Sequence, residues 1–232
     1  MKMVSITRFL ALLLLSAGCW ALDSQGGEEF SVSELLERAN NKLGECDHPL
    51  CSGCKWGKWT DGKVYIPYYI ASHFSSREKS IITRGLESFS SFSCIRFRPS
   101  RSTDRDWLSI ESRDGCWSYV GRRGGKQVLS LARSGCLYHG TVQHELLHAL
   151  GFNHEQTRSD RDNHIRVLLN NVQSGMEHNF RKIATLNQGT PYDYNSVMHN
   201  TPSPKNGQPT MVPIPNANYD IARLNTLYKC CK

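Results

Sequence analysis

His144-Glu145-Leu146-Leu147-His148 places two imidazoles four residues apart with a carboxylate between them. On an α-helix that spacing leaves the two imidazoles about 40° apart around the axis, so both can reach one metal ion while Glu145 projects beside it. Gly151 comes three residues after His148, where a helix can end in a left-handed turn, and His154 comes three residues later. A turn there brings a third imidazole back to the same ion, whereas a pair of histidines on an ordinary helix needs neither Gly151 nor His154 in register. Three neutral imidazoles leave a tetrahedral Zn2+ with one open position, the arrangement of a catalytic rather than a structural site. The implied chemistry is amide hydrolysis without a covalent intermediate. The metal activates a bound water and polarises the carbonyl, and Glu145 takes the proton from that water and hands it to the leaving amine. One zinc per chain is expected, held by His144, His148 and His154.

These residues need a rigid support, and the surrounding sequence supplies one. Leu146, Leu147 and Leu150 turn the rest of their helix, which opens near Thr141, towards a core. Upstream, Val64 to Ile70 reads as a strand. Ser75 and Glu78 form a capping box ahead of Ile81, Ile82, Leu86, Phe89 and Phe92, whose spacing predicts a helix ending near Cys94. Ile95 to Phe97, Trp107 to Glu111 and Gln127 to Leu131 are short strand candidates separated by Gly, Pro, Ser and Asp. A further helix is expected around Val172 to Ile183. From Cys46 onward the pattern is one compact mixed domain without repeats or long linkers.

The 232 residues, 39% hydrophobic and 21% charged, suffice to bury one sizeable core and argue against disorder. A net charge of +7 raises the question of nucleic acid, but the basic residues are dispersed and no Lys/Arg block occurs, so no nucleic-acid partner is expected. Lys2 and Arg8 flank the apolar run Phe9 to Leu15, and small residues at 19 and 21 suit a signal peptide, residues 1–21, cut after Ala21. A membrane span needs about 20 apolar residues, so no stable membrane insertion is expected. Eight of the nine cysteines lie beyond that cut, an even number that suits a secreted, extracellular enzyme with disulfides. Residues 22–45 carry six acidic and two basic residues, against 15 acidic and 24 basic from Cys46 onward. They read as an acidic prosegment ahead of a basic domain over 46–232, with a solvated tail as the plainer alternative.

The zinc string with Gly151 and His154 resembles that of the metzincins. Its continuation, Phe152-Asn153-His154-Glu155-Gln156-Thr157-Arg158-Ser159-Asp160-Arg161-Asp162, resembles the astacin signature, and Ser196-Val197-Met198-His199 the astacin Met-turn. Cys94 to Phe97, Gly115 to Arg122, Gly135 to Gly140 and Ile214 to Asn218 are similar to the hatching-enzyme branch, the choriolysins. The resemblance runs from about Cys46 to Cys230. It implies an α+β fold: a metzincin-type two-lobed protease with a twisted mixed sheet, long helices and an active-site cleft. It also implies Met198 as the apolar floor beneath the metal. Cys116 would pair with Cys136, and Cys94 with Cys230 or Cys231, of which Cys230 fits the last block of the family better. Cys46 or Cys51 would pair with Cys54. Cys51-Ser52-Gly53-Cys54 also reads as a redox motif or a second zinc site, an alternative that an oxidising compartment disfavours. The Cys116–Cys136 bridge would hold the Gln127 to Leu131 strand against the cleft as an edge for pairing with substrate backbone.

Three departures from the family pattern bear on activity. Astacins follow the Met-turn histidine with a tyrosine that reaches the zinc, and this chain has Asn200. The prosegment lacks an F-x-G-D stretch. Asn218 to Leu224 resembles two family blocks joined with a piece missing, which implies a short C-terminal lobe. The reading is therefore a monomeric, secreted zinc endopeptidase acting on extracellular or egg-envelope protein. Its alternative is a zinc-binding relative, weakened or inactive in catalysis, that acts by binding protein.

Overall fold

The computed structural model describes residues 53–200 and 204–214. The expected signal peptide and acidic prosegment, together with Cys46, Cys51, Cys230, Cys231 and the Asn218 to Leu224 stretch, lie outside the described residues.

Strand β1 (Val64–Ile70) buries Val64 and Ile66 on one face and, on the other, exposes Tyr69 while Pro67 is buried. It pairs in parallel with β2 (Ile95–Pro99) and with β3 (Trp107–Glu111). Next come β4 (Cys116–Ser118) and β5 (Lys126–Leu131); β5 runs parallel to β3, and β4 closes the sheet antiparallel to β5. The order is β2-β1-β3-β5-β4, so the sheet is mixed, as expected. The edge is β4 and not the Gln127 to Leu131 strand, which lies one place inward. Three residues are too few to show an alternation, so β4 left no trace in the sequence pattern. The Cys116–Cys136 disulfide, with Cα atoms 5.7 Å apart, ties this short edge strand to the chain entering the zinc helix. Cys54 and Cys94 are disulfide-bonded as well.

Helix α1 (Ser76–Ser88) starts at the capping box: Glu78 N donates to Ser75 Oγ and Ser75 N to Glu78 Oε2. It stops at Ser88, six residues short of the expected end, and only a 3-10 turn over Phe89–Ser91 follows. The serines explain the stop. Ser88, Ser90, Ser91 and Ser93 donate their hydroxyls to carbonyls three or four residues back, which competes with continuation of the helix. Helix α2 (His139–Ala149) carries the zinc motif.

Both helices lie on the same face of the sheet. Ile82 and Leu86 of α1, Val142 and Leu146 of α2, and Ile66, Leu108 and Leu129 of the strands all belong to one buried cluster. The helices touch through Gly85, where an added Cβ would stand 2.4 Å from Val142 Cγ1. Gly85→Ala is therefore expected to destabilise the fold by about 1–3 kcal/mol and to displace α2. Urea melting and zinc titration would register both effects; unchanged zinc affinity would show that the helix contact does not position the ligands.

The helix expected over Val172 to Ile183 does not form. Val172 is extended and bridges Pro204, Gly175 has φ +89°, and only a 3-10 turn over Glu177–Phe180 remains. A left-handed glycine interrupts the right-handed path that the apolar spacing suggested. Beyond the zinc helix in chain order, β6 (Ile165–Val167) and β7 (Met211–Pro213) form a separate antiparallel pair that the sequence did not announce.

Candidate active site

Helix α2 buries Leu146 and Leu150 completely, and Leu147 nearly so, and thereby holds its other face rigidly. Trp56 Nε1 donates to Ala149 O (2.8 Å) and Gly121 N to His148 O (2.8 Å), so two distant segments cap the last turn. Gly151 ends it with φ +104°, a conformation that costs a residue with a Cβ, and the chain turns back through Phe152 to His154.

The turn brings His154 Nε2 to 3.2 Å from His144 Nε2 and 3.1 Å from His148 Nε2. All three ligand atoms lie within 4.8 Å of one another. For a tetrahedral zinc with Zn–N distances near 2.0–2.1 Å, the nitrogens should be separated by about 3.3–3.4 Å. Hydrogen bonds at the far side of two rings settle which nitrogen faces inward. His144 Nδ1 lies 2.6 Å from Val197 O and His148 Nδ1 2.7 Å from Phe152 O. A carbonyl only accepts, so each Nδ1 carries the proton and each Nε2 keeps its lone pair for the metal. Burial holds the imidazoles neutral: it lowers His144, brings His148 to about 3 and drives His154 well below the ordinary range, with neighbouring histidines adding to the last two. The donor set fits zinc in number, spacing, tautomer and charge.

Glu145 is buried beside these rings, and burial pushes its carboxyl up to about 8. Among the described residues its Oε2 has no hydrogen-bond partner, the kind of orphaned buried acceptor that functional sites retain. Opposite the helix, Met198 is buried in the same core, and the Met-turn is stitched to the site. Glu155 N donates to Met198 O, Met198 N to Ser196 Oγ and His199 N to Ser196 O. Asn200 N donates to Gln156 Oε1 (3.0 Å), so position 200 hangs on the segment just after His154. An apolar hollow of about 400 Å³ opens between His199, Ile165, Tyr194, Met211 and Pro213.

The sequence assigned no role to Glu155, Arg158 or Asp160, which form a network next to His154 in which Glu155 and Arg158 are buried and Asp160 is partly exposed. Arg158 is 2% exposed, and all five of its N–H groups are used. Nε donates to Asp160 Oδ1, Nη1 to Glu155 Oε1 and Pro191 O, and Nη2 to Asp160 Oδ2 and Thr190 O. Asp193 N donates to Glu155 Oε1. This network joins the turn carrying His154 to the 190–193 segment that leads into the Met-turn. In the sequence these residues entered only as part of the astacin-like string, and nothing local marked Glu155 and Arg158 as buried.

Residues 53–229 match the Astacin peptidase family. High choriolytic enzyme 1 of Oryzias latipes is 44% identical over 211 residues, covering 85% of this chain and 77% of the relative. Low choriolytic enzyme of the same fish is 45% identical over 219 residues, covering 86% and 80%. The solved structure of high choriolytic enzyme 1, a hatching-enzyme zinc-protease, superposes with a TM-score of 0.74 over 78% of this chain and 97% of that one. The structure of myroilysin, 20% identical with a TM-score of 0.55, shares the fold. The converging imidazoles and the Met-turn thus sit in a chain that matches one family across its described length: the protein belongs to the astacin family and is a zinc metalloendopeptidase.

Proposed function

We propose that the protein is exported, loses residues 22–45, and as a monomer cleaves extracellular protein of the egg-envelope type, with no nucleic-acid partner. His144, His148 and His154 hold one zinc, and Glu145 is the general base. The observation that carries this reading is the convergence of three Nε2 atoms beside a buried Glu145 whose Oε2 has no hydrogen-bond partner among the described residues. Zinc, when bound, supplies Lewis acidity towards a water and towards the scissile carbonyl. Beside a divalent cation the Glu145 carboxyl ionises, because the opposite charge offsets its burial. Glu145 then removes a proton from the attacking water and returns it to the departing amine nitrogen. Val197 O and Phe152 O keep the rings of His144 and His148 from rotating as charge develops. The names of the choriolytic relatives support an egg-envelope substrate, and the N-terminal sequence supports export.

A second reading, a weakened relative acting by protein binding, draws on Asn200, which stands where the resemblance calls for a zinc-reaching tyrosine. Cleavage of casein or gelatin by the zinc-loaded protein separates the two. The proposal expects cleavage that a chelator abolishes and zinc restores. A zinc-loaded, folded protein that cleaves neither would establish the second reading.

A further inference from the structure

Parallel sheets ordinarily carry cover on both faces. Here β2, β1, β3 and β5 run parallel, yet α1 and α2 both occupy one side. No helix among the described residues covers the other face. Strand alternation places on it Arg96 and Arg98 of β2, Tyr69 of β1, Trp107 and Glu111 of β3, and Lys126 of β5, with Pro67, Ser109 and Ser130 buried between them. Across the four strand intervals this face measures about 19 Å. A groove of about 460 Å³ runs over it, with Tyr69, Trp107, Arg101 and Lys126 in its lining. Tyr69 is 49% exposed at its floor.

The charges on this face do not cancel. Asp104 is taken by Arg98 through two bonds of 2.6 and 2.8 Å, and Glu111 by Arg113 and Lys126 at 2.5 and 2.9 Å. The guanidinium groups of Arg96, Arg101 and Arg123 form no salt bridge among the described residues, although Arg101 N donates to Asp104 Oδ2 (2.7 Å). Arg96 is steered by the carbonyls of Ser93 and Ile95, Arg101 lines the groove, and Arg123 lies over the Tyr119 ring at 4.4 Å, beside Trp117 at the β4 edge. Unpaired guanidinium groups thus stand at both margins of a shallow face with aromatic rings between them. Such a face offers no deep pocket for an anchoring side chain. It suits an extended polymer with regularly placed anionic groups and flat rings.

We propose that this open sheet face binds a sulfated polysaccharide and so holds the enzyme on a glycan-bearing matrix, apart from the zinc site. Guanidinium groups pair with sulfate through parallel hydrogen bonds, and the exposed rings stack on sugar faces. The extracellular setting rests on the export proposed above. Binding by the folded holoprotein requires no proteolysis, so a failure to cleave casein leaves this inference standing, and a failure to bind leaves the protease reading standing.

The test uses zinc-loaded protein and heparin as the probe, with affinity measured at several salt concentrations. The triple variant Arg96→Gln, Arg101→Gln, Arg123→Gln is compared with a control of equal charge loss on α1, Arg77→Gln, Lys79→Gln, Arg84→Gln. The face variant is expected to bind heparin about 30-fold more weakly and to lower the salt slope by about three, while the control changes affinity by less than about threefold. Tyr69→Ser should weaken binding several-fold without altering the slope, and Tyr69→Phe should restore it. Cleavage of a short peptide should be unchanged in all of them. Equal losses in the two triple variants would reduce the effect to net charge and overturn the proposal. Absence of heparin binding would overturn it too, as would duplex DNA or polyglutamate binding as tightly as heparin.

Discussion

Replacing Glu145 by glutamine is expected to lower kcat by about 10²- to 10⁴-fold, the usual contribution of a positioned general base, while one zinc per chain is retained. Glutamine keeps the shape of the side chain and removes its proton affinity. Because Glu145 is not among the converging nitrogens, the ligand cage of His144, His148 and His154 should remain intact. KM should change little, since the lost interaction belongs to the transition state and not to the bound substrate. Metal analysis beside steady-state kinetics checks the expectation. Zinc lost from the variant would make Glu145 part of the cage, and retained activity would place the base elsewhere.

Replacing Asn200 by tyrosine is expected to raise kcat by about tenfold or more, equivalent to at least about 1.4 kcal/mol of transition-state stabilisation. Loss of one oxyanion donor commonly costs about 10²- to 10³-fold, which leaves room for such a gain. The backbone at this position is already anchored, because Asn200 N donates to Gln156 Oε1 and the preceding Met-turn is bonded to Glu155 and to His144. A phenol introduced there meets charge that develops only as the carbonyl is attacked, so kcat should rise and KM should stay near its starting value. Rates on a peptide substrate, with zinc content and near-UV circular dichroism as controls, give the answer. No gain in a folded, zinc-loaded variant would mean that the cleft around the Met-turn differs from that of the family beyond a single side chain, and the binding-protein reading would gain.

Local sequence carried much of this architecture because local physics does. The Ser75/Glu78 capping box, the Val64 to Ile70 strand and the i, i+4 pair on α2 are patterns in which neighbouring residues dictate the outcome, and all three stand as the sequence predicted. Gly151 and His154 belong with them: one left-handed residue suffices to return a third imidazole to the first two. The same local reasoning overextended α1 and predicted a helix over Val172 to Ile183. Apolar spacing registers neither the back-bonding of a run of serines nor the effect of one glycine at φ +89°.

Tertiary structure alone decided which carbonyls fix the imidazole tautomers, which strand forms the edge, and where a buried arginine finds its acceptors. Those partners lie far apart in the chain: 53 residues from His144 to Val197, 33 from Arg158 to Pro191, and 93 from Trp56 to Ala149. Hydrogen-bonding groups taken out of water must be satisfied wherever the folded chain passes nearby. The candidate catalytic groups are therefore legible in their own neighbourhood, whereas the bonds that orient them exist only once distant segments have packed around them.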